Sequence, residues 1–465
     1  MDGQLTLAAR MQWAETQFGE AALGDVRRTR RLVKLGAQMA ANSSGSIPQQ
    51  TVRISDMKAA YRLFAQAEVT HEAICRPHIQ QTREMASHLS MVYMLQDTTE
   101  LDFTRHDKTE GLGPVGTGRG RGLHQQNVLA VNPSTRRPLG LMYQQHHRRQ
   151  ERPAGETRDA RRKRPLSERE SYWWIEAIRV VGQPPEGVRW VHVLDRGGDT
   201  FAVHDLIREL GVDCIIRAKA DRRIEPEQGH RHLFAYARSL PSLGGFKITV
   251  RCGSGSKREA ALKVAGGPAR FLPSRSEPEL RCREPMARHV VRVWEPNPPA
   301  GEEPVEWILL TTLPTETYDE AKTIVDGYTS RWMIEEFHKC EKTGCRVEDR
   351  QLTDTDRLEP LIGLLSVLAV YLLELKFVAR DSPETPASEV LDCDAVKVMA
   401  RYLSRPHRDL TVGEFWRGIG RLGGHPGRKG DGPLGWLRAW RGWQAFQLIL
   451  LGAELSTTMG TPRCG

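Results

Sequence analysis

The 465-residue chain lacks an apolar stretch that reads as a membrane span. Its longest apolar run, Leu361 to Leu373, is broken by Gly363 and Ser366 and falls short of the roughly 20 residues a bilayer requires. It reads as a buried helix. No basic-then-apolar segment of the secretory kind opens the chain, which starts Met1-Asp2-Gly3-Gln4, so the expectation is a cytoplasmic protein with no membrane partner. Eight cysteines stand at 75, 214, 252, 282, 340, 345, 393 and 464, and no two form the C-x-x-C clip of a zinc site or redox pair. Cys340, Cys345 and His338 lie close in sequence, but Cys340 falls on the apolar side of its helix, and reduced structural thiols are the preferred reading. The glycine-rich segment Gly116 to Gly122 follows no P-loop or dinucleotide pattern, which leaves a flexible basic loop.

What is present is positive charge. Lys and Arg number 67 against 58 Asp and Glu, a formal net charge of +9, which suits a polyanion, nucleic acid ahead of an anionic membrane surface. The length calls for two or three domains. The first 70 residues read as helical, with Asp25 placed to cap a helix crowded by Arg27, Arg28, Arg30, Arg31 and Lys34. Such a run is either a solvated face or a footprint on phosphates.

A mixed α/β region follows. Met91 to Leu95 is a short apolar run of the kind found in a sheet covered on both faces, and it is read as a strand ending at Asp97. Asn127 to Val131 and Leu139 to Tyr143 read as a hairpin. Ser167 and Glu170 have the spacing of a capping box before a helix containing Trp173, Trp174, Ile175 and Ile178. Val188 to Leu194 is a second strand ending in a carboxylate, Asp195. Asp199 is placed to cap a helix from Thr200 to Leu210, Gly211 to end it, and Cys214 to Arg217 to resume a strand, so a parallel βαβ unit is expected. From about 220 to 305, glycine- and proline-rich turns alternate with short strands, which reads as a β-rich insertion. Helices then run to about 380 and again beyond Pro386. Trp436, Trp440 and Trp443 share one helix face, as core or as a self-association surface.

Tyr328, Arg331, Glu335, Lys339 and Lys342, read as one helix, fall within about 80° of arc, with Met333, Ile334, Phe337 and Cys340 opposite. An exposed ion-paired face would show the same pattern. Two strand-end aspartates and a helix-borne glutamate, however, are a set of oxygen donors suited to hard divalent cations, and two such ions roughly 3.5–4 Å apart serve phosphoryl transfer. Asp97, Asp195 and Glu335 are therefore the candidate metal ligands and catalytic residues.

The spacing Tyr328-x2-Arg331-x3-Glu335-x6-Lys342 resembles the signature of the insertion-sequence-four family of DDE transposases, which includes the transposase of transposon five. The likeness extends to Ala22-Leu23-Gly24-Asp25, Asp97-Thr98-Thr99, Asp195-Arg196 with Asp199, Arg217-x-Lys219, Trp307, Ile334 to Lys339, and Arg421 to Gly424; Gly197 and Gly198 replace the pattern often seen after Asp195. The resemblance implies an α/β fold with a ribonuclease-H-like catalytic core at 71–380 and a β-rich insertion at about 220–305. It implies flanking helical domains, one at 1–70 that binds DNA ends and one at 381–465 that pairs subunits. It further implies a cut-and-paste transposase using two Mg²⁺ ions, with Mn²⁺ as substitute, and a homodimer on double-stranded DNA that carries terminal inverted repeats and is joined to target DNA. Tyr328, Arg331, Lys339, Lys342, Arg217, Lys219, Arg27, Arg28, Arg30 and Arg31 are the implied DNA contacts, and Trp307 is the implied stacking partner of a flipped base, though a Trp opening an apolar strand equally reads as core. The carboxylates alone would fit a metal nuclease of the same fold, and loss of cutting would leave a DNA-binding relative.

Overall fold

The computed structural model describes residues 7–459 apart from 52, 152–154, 158–159, 161–163, 228, 252–256, 274–279, 392, 429–430 and 432–433. The chain begins with helices α1 (Leu7–Phe18), α2 (Val26–Ala41), α3 (Ile54–Phe64) and α4 (His71–Ser87). Asp25 caps α2 as expected, its carboxylate accepting from the Arg27 amide. Strands β1 (Met91–Asp102), β2 (Gly113–Val115), β3 (Gly120–Asn132) and β4 (Arg137–His147) follow, with β3 antiparallel to both β1 and β4. Helix α5 (Tyr172–Val181) then leads into β5 (Arg189–Leu194), α6 (Phe201–Leu210) and β6 (Asp213–Arg217). β5 is parallel to β1 and to β6, so the expected βαβ unit is present. Gly211 ends α6 at φ 66°, in the left-handed region that glycine enters without strain.

The 220–305 segment holds β7 (Arg223–Glu227), β8 (His230–His232), helix α7 (Leu233–Ser239), β9 (Gly244–Arg251), β10 (Lys257–Phe271) and β11 (Met286–Trp294). Through β12 (Glu306–Thr311), antiparallel to both β6 and β11, these strands extend the same sheet, so the insertion is continuous with the core. Helix α7 within it was not expected. The chain closes with α8 (Tyr318–Thr329), α9 (Trp332–Lys339), α10 (Thr355–Asp381), α11 (Cys393–Tyr402), α12 (Val412–Leu422) and α13 (Trp436–Met459).

Side-chain alternation divides the central strands between two interiors. Tyr93, Leu95, Val191 and Val193 face α8, α9 and α10 in an apolar cluster that also takes in Leu32 and Phe64 at one end of the chain and Phe415 and Trp443 at the other. Val92, Met94 and Trp190 face α5 on the reverse side. Helix α10 is long and apolar enough to cross a membrane, but 82% of its most apolar window is buried inside the protein, in line with its reading as a core helix. Trp440 and Trp443 are likewise buried, with Trp436 stacked on Trp440 and Trp416 on Trp443, so the tryptophan stripe is core.

Three local expectations are corrected. Asp97 does not end its strand, because β1 continues to Asp102 along the hydrogen-bonding edge of β3. Ser167 and Glu170 form no capping box: residues Leu166–Glu168 make a single 3₁₀ turn, α5 starts after Ser171, and Glu170 pairs with Arg149 instead. The cap of α6 is Thr200, whose hydroxyl accepts from the Val203 amide. Asp199 turns inward.

Candidate active site

The parallel pairing of β1 and β5 places Leu95 opposite Val193. Asp97 and Asp195 each lie two residues further along, so both carboxylates leave the same face of the sheet, toward α9. β5 stops at Leu194, and Asp195 caps the turn Arg196–Gly198 by accepting from the Gly197 amide at 2.6 Å. A Cβ on Gly197 would stand 2.9 Å from both the Asp195 carboxylate and the Trp174 ring, so any side chain here would displace one or both. Asp97 lies deeper. Burial pushes its carboxyl up to about 6, Asp195 and Glu335 push in the same direction, and Arg331 opposes them.

Glu335 reaches this face from α9. Residues 328–342 do not form one uninterrupted helix, which corrects the single-stripe reading. α8 ends at Thr329, the Arg331 amide donates back to the Tyr328 carbonyl, and the chain re-enters a helix at Trp332. Beyond Lys339 it widens into a π turn, Cys340–Gly344, in which the Cys345 amide donates to the Cys340 carbonyl. Of the five stripe side chains only those of Arg331 and Glu335 stay bonded to each other. Tyr328 is buried beneath Trp307, with ring centroids 6.0 Å apart. Lys339 pairs with Glu336 at 3.1 Å and lies over the Trp332 ring. Lys342 donates to the Glu100 carbonyl and pairs with Glu348 at 3.2 Å.

Arg331 joins the acidic groups. One guanidinium nitrogen donates to Asp97 Oδ2 at 3.0 Å and the other to Glu335 Oε1. Only 15% of its side chain is exposed, so solvent screens these pairs little. With that cation between two of the three acids, no group of three or more His, Cys, Asp and Glu side chains among the described residues is arranged to hold a metal ion. The donor set nevertheless fits a hard cation in kind: three carboxylates, all oxygen, one of them resisting ionisation chiefly because it is buried and secondarily because two other acids lie near it. Cys340 and Cys345 are buried, and their thiols donate to the Ala369 and Leu365 carbonyls, which makes them structural.

Two sequence segments fix the kind of protein that holds this site. Residues 10–69 match the family model for a transposase DNA-binding domain, and residues 190–373 match the model for a transposase DDE domain. Together they span just over half of the chain. The chain is a DDE-type transposase. As such it is a DNA-cleaving and strand-transferring enzyme whose partner is DNA, and enzymes of this type generally use divalent metals. The DDE match contains Asp195 and Glu335, while Asp97 lies ahead of it.

In this transposase the basic run of α2 is largely engaged within the protein. Arg27 pairs with Asp25, Arg28 with Glu68, and Arg31 and Lys34 with the buried Asp56, whose carboxyl is held down to about 2 by Lys34 and Arg31. Arg30 is exposed and has no partner among the described residues. Arg217 ends β6 opposite Leu309, and Trp307, half-buried, lies two residues before that partner, so Arg217, Lys219 and Trp307 collect at the sheet end that carries Asp195. Asp199 supports this end, accepting from the Lys219 amide at 2.6 Å and pairing with Arg222 and His204.

A buried polar set beneath α9 escaped the sequence reading. Asn127 faces Asp97 across β1 and β3 and bonds His338, and Gln125, two residues along, bonds Glu341. The available signal was Gln125-Gln126-Asn127 at the head of an apolar strand, together with His338 on α9 and Glu341 in the turn after it, both at positions that fall among the apolar residues when 328–342 is read as one helix.

Proposed function

We propose that this transposase moves DNA by cut-and-paste, with Asp97, Asp195 and Glu335 holding two divalent ions, Mg²⁺ or in its place Mn²⁺. The observation that carries the reading is the convergence of these acids: parallel register puts Asp97 and Asp195 on one face, and Arg331 links Asp97 to Glu335. When bound, the ions supply an activated water nucleophile and neutralise the charge that develops on the leaving 3′ oxygen. Arg331 already neutralises two of the acids. In the working complex it releases them and turns its guanidinium to a phosphate of the DNA end, the geometry to which a planar fork of donors is suited. Lys339, Lys342, Arg217 and Lys219 contact the backbone around it, and Tyr328 supports Trp307, which stacks on an extruded base.

The freed 3′-hydroxyl then attacks the opposite strand to give a hairpin, water reopens it, and the 3′ end joins target DNA. The mixed sheet with helices on both sides serves as a ribonuclease-H-like core at 71–380. Residues 1–70 read the inverted repeats through Arg27, Arg28, Arg30 and Arg31, of which Arg30 is free to engage at once. Residues 381–465 pair two subunits so that both ends are cut together. The insertion-sequence-four assignment rests on the Tyr328, Arg331, Glu335 and Lys342 spacing. Product analysis tests the sequence of steps: with Mg²⁺, end-labelled DNA bearing the repeats should pass through a nick, a hairpin and a flush break in that order. Flush breaks with no hairpin at any time would exclude the hairpin step, and intact DNA throughout would exclude the reading.

A further inference from the structure

Helix α9 is held from two sides. On its outer side Glu336 accepts from Lys376 on α10 and from the Trp436 indole on α13. On its inner side Ile334, Phe337 and Cys340 pack into the core, and such apolar contacts resist separation but are non-directional and tolerate small rotations. Two polar side chains interrupt that inner side. His338 and Glu341 are both buried, and each bonds a side chain of β3, the strand beside Asp97.

The orientation of every group in this set is fixed. Gln144 donates to Asn127 Oδ1 at 2.7 Å, so the Asn127 carbonyl is occupied and its Nδ2 donates to His338 Nε2 at 3.0 Å. Burial, with Lys342 and Arg331 nearby, pulls His338 down to about 3, so the imidazole is neutral and Nε2 accepts. Gln125 donates to Glu341 Oε2 at 2.8 Å while its own carbonyl faces His146 at 3.1 Å. Ser366 on α10 donates to Glu341 Oε1 at 2.6 Å. Directional bonds of this kind specify an angle where apolar packing does not.

His338 is three residues after Glu335, its neighbour one turn along the helix surface. Asn127 is the cross-strand partner of Asp97. We infer that His338 is a positioning residue for Glu335: its bond to Asn127 fixes the rotation of α9 against β3, and thereby the separation of the Glu335 and Asp97 carboxylates. With side chains extending about 5–6 Å from the helix axis, a rotation of about 20° carries a carboxylate roughly 2 Å. Misplacement of that order costs on the order of 100-fold in rate. Glu341 is the second point of the same clasp. The inference rests on the reading of Asp97 and Glu335 as the reactive pair.

The test compares four variants of the full chain for thermal unfolding, end-DNA affinity and single-turnover Mg²⁺-dependent nicking. His338→Leu is expected to slow nicking about 10- to 100-fold with end affinity unchanged. His338→Gln, which keeps an acceptor near the Nε2 position, should restore most of the rate. The double variant Asn127→Leu/His338→Leu removes both partners of that bond but also takes the Asn127 carbonyl from Gln144, so its melting point should stay below that of the wild type and its rate should stay low. A double variant that recovers rate together with melting point would overturn the inference, as would a His338→Leu protein that nicks at the wild-type rate. Asp97→Asn separates the two levels: if it is inactive, a wild-type rate for His338→Leu removes only the positioning role. If Asp97→Asn itself nicks normally, the active-site reading fails and the positioning role with it.

Discussion

Burial sets the protonation of single residues around α9. Glu341 has no exposed surface, and burial pushes its carboxyl from 4.5 up to about 7, against the hydrogen bonds from Ser366 and Gln125. At this carboxyl the folded protein therefore binds more protons than the unfolded chain between pH 4.5 and 7. Because the folded value is the higher one, this group's contribution is fully present below about pH 4.5, falls as pH rises, and is lost once pH passes 7. Buried histidines held well below 6.5, His71, His192 and His338 among them, act in the opposite direction over this range, so the test is the difference between proteins: denaturant midpoints should rise more steeply with pH across 4.5–7 in Glu341→Gln than in the wild type. An identical slope in the variant would show that Glu341 ionises normally. Such a residue is hard to read from sequence, because its place among apolar residues hints at burial while its partners, Gln125 and Ser366, come from distant elements. Asp97 and Asp195 were legible since apolar runs lead directly to them. Asp199 was legible as important, but its inward turn toward Arg222 depends on a residue 23 positions away.

Elements that contact one another locally were read well, and those set by distant packing were not. The βαβ unit and the β3–β4 hairpin followed from apolar runs and turn residues. The break between α8 and α9 did not, because Ser330 and Arg331 both keep right-handed helical angles and neither is proline or glycine. α8 packs closely on the sheet just before the break. A Cβ on Gly327 would stand 2.7 Å from Ile215 and 3.1 Å from the Tyr93 hydroxyl, so α8 lies directly on β1 and β6. Further along, the turn after α9 is tied to the N-terminal helices. The buried Arg350 guanidinium donates to the Ser43, Gly45 and Cys345 carbonyls, and the Ser43 hydroxyl donates to the Gly344 carbonyl. Arg350→Ala strands those carbonyls and should lower unfolding free energy by about 2–3 kcal/mol, measured by urea denaturation. Arg350→Lys should recover little, since one ammonium cannot span three acceptors on two segments. A loss below about 0.5 kcal/mol would mean that the tie is replaced by water.

At the scale of the whole molecule, the matched DNA-binding segment and the matched DDE segment are not independent bodies. The N-terminal helices share their apolar interior with α10, and Arg350 and Ser43 join them to the turn that follows Glu335. Sequence composition indicated a polyanionic partner through net charge, but not which cations are free to meet it. Pairing partners such as Glu68 and Asp56 lie outside the basic run, and only the packing of α2 on α3 brings Arg31 and Lys34 to Asp56. The central claim is that Asp97, Asp195 and Glu335 act together. It is tested most directly by measuring Mg²⁺-dependent nicking and end binding side by side for Asp97→Asn, Asp195→Asn and Glu335→Ala. The account predicts that each substitution abolishes nicking while end-DNA affinity stays near that of the wild type; a wild-type nicking rate in any one of the three would contradict it.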